Sequence, residues 1–193
     1  MKRLFDVCVS AVALIVLAPL LALVALAVRF TSPGPALYSS KRIGRDGHPF
    51  TLYKFRTMGA GSAAGPSITA AGDQRITPLG RLLRRSKIDE IPQLFNVIKG
   101  DMSLVGPRPE VERYVALYTP EQRLVLAVKP GITSPASIAY RNEESLLSGA
   151  DWERQYVDHV MPDKLRRELE YLSRRTLWSD IRLIFETVRA ILH

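Results

Sequence analysis

Residues 87–110, KIDEIPQLFNVIKGDMSLVGPRPE, set two adjacent carboxylates, Asp89 and Glu90, among fixed cations. Arg81, Arg84 and Arg85 precede them, and Arg108 follows between Pro107 and Pro109. Neighbouring residues on a helix point about 100° apart, so the two acids do not share a face by default. A helix start is expected near Asp89, because Pro92 is tolerated only in a first turn. There Asp can cap while Glu turns aside, and the positive end of the helix dipole favours the ionised carboxylate. An ionised Asp is what nucleophilic attack on phosphorus requires, and what a hard divalent cation such as Mg²⁺ takes as a ligand. The plain alternative is a helix cap with a surface acid beside it.

The surroundings favour phosphate chemistry. Two prolines fix the backbone around Arg108, so a planar, always-charged guanidinium projects from a loop with little entropy left to lose, which suits bidentate phosphate recognition. Lys54 and Arg56, in YKFR, fall on one face of an extended segment, and Arg84 and Arg85 lie on a helix ahead of the dyad. Each taken singly also reads as an ordinary solvated cation. Together they describe a metal-assisted phosphoryl-transfer site. The chain has no P-loop, no GxSxG, no HExxH and no glycine-rich dinucleotide fingerprint. The same cations would serve a nucleic-acid binder, but acids and a proline stand where a recognition helix needs neutral or basic residues, so no nucleic-acid partner is expected.

The elements that must position these residues follow from pattern. At 193 residues the chain suits one domain, and a net charge of +8 calls for an anionic partner. A single cysteine, Cys8, excludes an internal disulfide and a cysteine-based zinc site, and His48, His159 and His193 form no ligand pattern. ALYSSKRIGRDGHPFTLYKFRTM reads as a β-hairpin turned by Asp46 and Gly47. Residues 59–73 read as a surface loop. Thr77 and Pro78 open a helix carrying LGRLLRR, and the helix at the dyad ends at Gly100. Residues 111–127 suggest another helix and KPGI a turn. The C-terminal stretch has apolar residues at helical spacing with Arg174, Arg175, Arg182 and Arg189 interleaved, fitting an interfacial amphipathic helix or a core-packed one.

The start of the chain is uncharged from Val7 to Val28, a segment about 33 Å long as a straight helix and able to cross a hydrocarbon core. Cationic residues flank it on both sides, which gives a single span no orientation under the positive-inside rule. A helix broken at Pro19, with arms of about 18 and 14 Å, would instead re-enter and leave both ends on one face. A cleaved signal peptide is the third reading. Pattern alone leaves span and re-entrant helix open.

The apolar start with its proline, SPGPALYSSKRIGRDGHPFTLYKFRTM, RITPLGRLLRRSKIDEIPQLFNVIKGDMSLVGPRPE and KPGIT, in this order, resemble a small monotopic phosphoglycosyl transferase of the bacterial sugar transferase family, over nearly the whole chain. The resemblance implies a mixed α/β, mostly helical fold. Residues 1–30 would form a proline-broken re-entrant membrane helix. Residues 31–193 would form one compact catalytic domain with a small β-hairpin and amphipathic interfacial helices, on the cytoplasmic face of a bacterial inner membrane. It implies transfer of a sugar 1-phosphate from a UDP-sugar to a polyprenyl phosphate such as undecaprenyl phosphate, with release of UMP. Asp89 would be the nucleophile and a ligand of Mg²⁺, and Glu90 would complete the dyad. Arg84, Arg108 and Arg141 fall at phosphate-binding or site-supporting positions, and Lys54 and Arg56 match YKFR. Two departures stand out: Ala18-Pro19 replaces the common Ser-Pro at the break, and Ser134-Pro135-Ala136-Ser137 follows KPGIT where relatives continue with Gly and an aromatic or apolar residue. The competing class is a non-catalytic adaptor attached to anionic lipid.

Overall fold

The structure, a computed structural model, describes residues 1–59, 61–62, 68–69, 72–147, 149 and 151–192, with the side chain of Leu192 excepted. In chain order the elements are α1 (Lys2–Thr31), β1 (Leu37–Ile43), β2 (Pro49–Phe55), α2 (Pro78–Arg85), α3 (Gln93–Lys99), β3 (Ser103–Val105), α4 (Glu112–Val115), β4 (Gly131–Thr133), α5 (Pro135–Ala139), α6 (Glu143–Leu146), α7 (Trp152–Gln155), α8 (Met161–Ser173) and α9 (Leu177–Leu192). The fold is mostly helical, and the described residues form two small two-stranded sheets: β1 and β2 antiparallel, β3 and β4 parallel.

The hairpin forms as expected. Its register pairs Leu37 with Phe55 and Ile43 with Pro49. Asp46 (φ 56°) and Gly47 (φ 79°) supply the positive torsions of the turn, within a short 3₁₀ stretch, Arg45–Gly47. Helix α2 starts as the sequence implies: the Thr77 hydroxyl accepts the Gly80 N–H at 2.9 Å, and Pro78 occupies the first turn.

Three expectations need correction. The helix expected at Asp89 starts at Gln93; a 3₁₀ turn, Ile88–Glu90, precedes it, and Asp89 caps nothing. Pro92 can tolerate only the very start of a helix, so the chain first turns tightly and then straightens into α3, which does stop at left-handed Gly100 (φ 105°). The helix expected over 111–127 is two pieces, α4 and a 3₁₀ stretch, Gln122–Ala127, separated around Pro120. KPGI is more than a turn, because Gly131 begins β4. The loop expected at 59–73 lies largely outside the described residues.

Among the described residues, four apolar clusters hold these elements together. The largest joins Ile43 to Tyr114, Val115, Tyr118, Val125, Leu147, Tyr156, Met161 and Leu165. A small cluster of Phe50, Leu52, Val97 and Met102 packs β2 on α3. A third joins Leu94, Leu104, Val105 and Leu183 to Phe5 and Leu14 of α1, and a fourth joins Val28, Phe55 and Leu83 to Leu21 and Val24. The two halves of α1 therefore pack on different parts of one body. The helix continues through Pro19, and the break expected there is not seen. Between its packed ends α1 presents Val12, Ile15, Val16, Leu23 and Leu26 outward, and it is the one helix among the described residues long and apolar enough to cross a membrane. Helix α9 packs Leu183 into the core, as the core-packed reading expects, and leaves Trp178, Phe185 and Val188 exposed.

Candidate active site

Helix α2 ends at Ser86, and Lys87 (φ 56°, ψ 13°) reverses the chain into the dyad turn. That turn puts both acids inside the protein, Asp89 6% and Glu90 8% exposed. Their surroundings differ sharply.

Glu90 is fully engaged. Lys54, reaching from β2, donates to Oε1 at 2.9 Å. Arg108 donates through Nη2 to Oε1 at 2.7 Å and through Nη1 to Oε2 at 3.2 Å, a two-pronged fork. Burial alone would raise the Glu90 pKa, but the charges of Arg108 and Lys54 outweigh it and hold the group well below the usual carboxylate range. Reciprocally, burial pulls the Lys54 ammonium down and Glu90 partly restores it, while the Glu90 charge raises Arg108.

Asp89 is the opposite case. Its Oδ1 is buried without a hydrogen-bond partner among the described residues. Burial, with the neighbouring Glu90 charge, pushes its pKa up to about 6, against the pull of Lys54, Arg84 and Lys87. One acid is thus locked in an ion triad that favours its ionised form, the other free and more basic than an ordinary carboxylate.

The remaining cations named from sequence separate into two groups. Arg84 stays near the dyad: it donates to Thr57 Oγ1 at 2.9 Å and Thr69 Oγ1 at 3.0 Å and pairs with Glu144. The backbone carbonyl of Arg141 lies 3.5 Å from Lys87 Nζ, while its guanidinium donates to the Ile191 carbonyl at 3.3 Å. Arg56 goes elsewhere. Although it shares strand parity with Lys54, its buried guanidinium donates to the carbonyls of Val28, Ser32, Pro33 and Gly34 and closes the C-terminal end of α1.

Three contributors carried little signal in the sequence. Glu110, the last residue of the proline-rich run, accepts from Arg42 Nη1 at 3.1 Å, Tyr156 OH at 2.6 Å and its neighbour's Val111 N–H at 2.7 Å, so it ties the Arg108 loop to β1 and to the helices beyond. Asn96, fully buried, donates to the Thr51 carbonyl at 2.7 Å and accepts the Tyr53 N–H at 3.1 Å, fixing β2 against α3. A polar residue on the apolar face of α3 was the available clue. Lys87 sits at the hinge of the dyad turn, and nothing in a sequence marks a left-handed lysine.

The Mg²⁺ expectation can be tested on donors. Among the described residues no three acids, histidines or cysteines gather in a ligand cluster. Magnesium does not need one, since it is commonly held by one or two carboxylates with substrate phosphates and water. The unpartnered Asp89 oxygen fits that description.

A buried acid pair on a turn, one member forked to an arginine of a Pro-Arg-Pro loop and the other free, in a domain carrying an apolar helix, defines a class. The family model for bacterial sugar transferases matches residues 1–193, and the chain belongs to that family. Among particular relatives, the UDP-glucose:undecaprenyl-phosphate glucose-1-phosphate transferase of Caulobacter vibrioides is 38% identical over 99% of this chain and 69% of its own length. The undecaprenyl-phosphate galactose phosphotransferase of Salmonella typhimurium is 37% identical over 100% of this chain but 40% of its own. An uncharacterized sugar transferase of Bacillus subtilis is 37% identical over 100% of this chain and 87% of its own. The chain thus spans less than half of some of the larger relatives it matches.

Proposed function

We propose that the protein is a phosphoglycosyl transferase that moves a sugar 1-phosphate from a UDP-sugar to undecaprenyl phosphate and releases UMP. Family membership and the names of the relatives support the reaction class. The observation that carries the mechanism is the asymmetry of the dyad: only Asp89 has a free carboxylate oxygen.

In the first step an Asp89 oxygen attacks the β-phosphorus, forming an aspartyl–phosphorus bond. The bond from that phosphorus to the bridging oxygen breaks, and UMP leaves with the oxygen and the electron pair. In the second, the acceptor's phosphate oxygen attacks the same phosphorus and Asp89 is restored as carboxylate. A pKa of about 6 keeps Asp89 largely ionised at neutral pH, with a more basic lone pair than a solvated carboxylate offers. Glu90 holds Lys54 and Arg108 in place, so their outer N–H groups face arriving phosphate without reorganisation. Arg84 and Arg141 border the site. Mg²⁺, held by Asp89 with substrate phosphates and water, would supply charge neutralisation on the diphosphate and the leaving UMP. Arg56 serves the anchor and not the substrate.

The membrane assignment rests on α1. At its start Lys2 pairs with Asp180, Arg3 donates to the Val97 and Ile98 carbonyls, and Asp6 accepts from Ser103. At its end Arg56 takes the last carbonyls. That both ends of α1 are fastened to the same body supports a re-entrant anchor, 1–30, carrying one catalytic unit, 31–193, on the cytoplasmic face of the inner membrane, where UDP-sugars are found. The exposed Trp178, Phe185 and Val188 of α9 add an apolar surface suited to the interface.

The test is turnover by purified, detergent-held protein with undecaprenyl phosphate, Mg²⁺ and a panel of UDP-sugars. Lipid-dependent UMP release, lost by about 10³-fold or more in Asp89→Asn with unchanged thermal stability, is expected. Release of UDP, or full activity in Asp89→Asn, would exclude the aspartyl route.

A further inference from the structure

Lys87 occupies a position where a side chain is a conformational burden. As the residue after the end of α2, it adopts the left-handed region at φ 56° and ψ 13°. Its N–H donates to the Arg84 carbonyl at 3.2 Å, and its own carbonyl accepts the Glu90 N–H at 3.1 Å. The chain needs this torsion here, because it connects α2 to the dyad turn. Glycine meets that need without steric cost and is the usual residue after a helix end; lysine is not. Strain of this kind persists where surrounding structure or function demands the side chain.

The side chain does little for the fold. It is half-buried, its ammonium lies a marginal 3.5 Å from the Arg141 carbonyl, and it forms no ion pair among the described residues. Several of the cations named for this region have their partners already. Lys54 and Arg108 are on Glu90, Arg84 is on Glu144, and Arg56 is on backbone carbonyls. Lys87 caps the short turn Ile88–Glu90 that carries both acids, two residues before Asp89. A cation with no ion pair among the described residues thus heads the turn that carries the one unpartnered carboxylate oxygen of the dyad, where a reacting phosphorus must come.

We propose that the Lys87 ammonium binds a phosphoryl oxygen of the substrate at the dyad, an inference that rests on the phosphoglycosyl-transfer reading. Two sources carry that chemistry, the donor's diphosphate and the acceptor's monophosphate.

Lys87→Gly separates fold from function, because it relieves the torsion while removing the side chain that carries the ammonium. Its melting temperature should equal or exceed that of the parent protein, while a KM rises by about tenfold or more and Lys87→Arg restores most of the loss. A rise in the UDP-sugar KM identifies the diphosphate as the ligand; a rise in the undecaprenyl phosphate KM identifies the lipid phosphate. Both KM values unchanged in Lys87→Gly would overturn the proposal. Inorganic pyrophosphate binding, measured by calorimetry on the full chain, gives a readout independent of turnover. About tenfold weaker binding in Lys87→Gly supports the assignment even if no UDP-sugar donor releases UMP. Equal affinity, or no binding by either protein, overturns it in that case.

Discussion

At the scale of residues, the two acids of the dyad make opposite demands. Glu90 balances two cations inside the protein, so Glu90→Gln should cost about 3 kcal/mol, the low end for a broken buried pair because the Arg108 side chain is 34% exposed. Chemical denaturation would measure it, and a variant as stable as the parent protein would contradict the ion triad. Arg108→Lys keeps the charge and loses the fork; UMP release should fall about 10- to 100-fold with little loss of stability. The dyad and Arg108 were legible only in combination: singly each has an ordinary structural reading, and the structure does bring Lys54 and Arg108 together on Glu90. Arg56 was not. Strand alternation gives the side of the sheet a residue faces, but Arg56 lies just beyond the end of β2, and what it meets is the end of a helix more than twenty residues earlier in the chain. Lys87 was hidden for another reason, since its significance lies in a backbone torsion.

Elements explain why the motifs read as they do. Gly131 of KPGIT approaches the backbone of Gly106 so closely that a Cβ would sit 2.1 Å from the Gly106 nitrogen, and a Cβ on Gly80 of LGRLL would lie 2.0 Å from the Thr57 carbonyl oxygen. Both glycines are contact points for backbone, and the first sets the Arg108 loop against β4. Gly131→Ala should destabilise by about 3 kcal/mol or more, read as a fall in melting temperature or as loss of folded protein. Beneath the same loop, Glu168 of α8 is buried, 3% exposed. Its carboxyl faces Ser134 and the backbone N–H groups of Arg108 and Ala136 without a well-aligned hydrogen bond, and burial pushes its pKa up to about 7. A carboxyl raised in the folded state binds its proton more tightly there than in the unfolded chain, so its contribution favours folding at low pH and is lost as pH rises from the ordinary carboxylate range through about 7. Glu168→Gln should therefore raise the melting temperature at pH 8 relative to the parent protein and do little at pH 5; the difference is on the order of 1–3 kcal/mol. Helix caps and the hairpin were legible because Thr-Pro and Asp-Gly act locally. The parallel pairing of β3 with β4 was not, because three-residue strands joined across a long connection leave no periodicity to find.

At the scale of the molecule, the apolar helix and the chemical site belong to one body. On the re-entrant reading, Lys2→Cys and Asp46→Cys, each in a Cys8→Ser background, should react with an impermeant thiol reagent from the same side of a sealed vesicle; labelling from opposite sides would exclude it. The sequence left this point open because length and hydropathy describe what a helix can cross, and only contacts at both of its ends tell where they are. Those contacts also make β2 a gauge of depth. Arg56, just past its end, seals the last turn of the anchor, and Lys54, two residues earlier, holds the dyad; at about 3.3 Å per residue the two duties are less than a nanometre apart. On the proposed function, the height of the reacting carboxylate above the lipid would be set by a strand too short to stretch, and a phosphate riding at a different level in the bilayer would pass the site without meeting it.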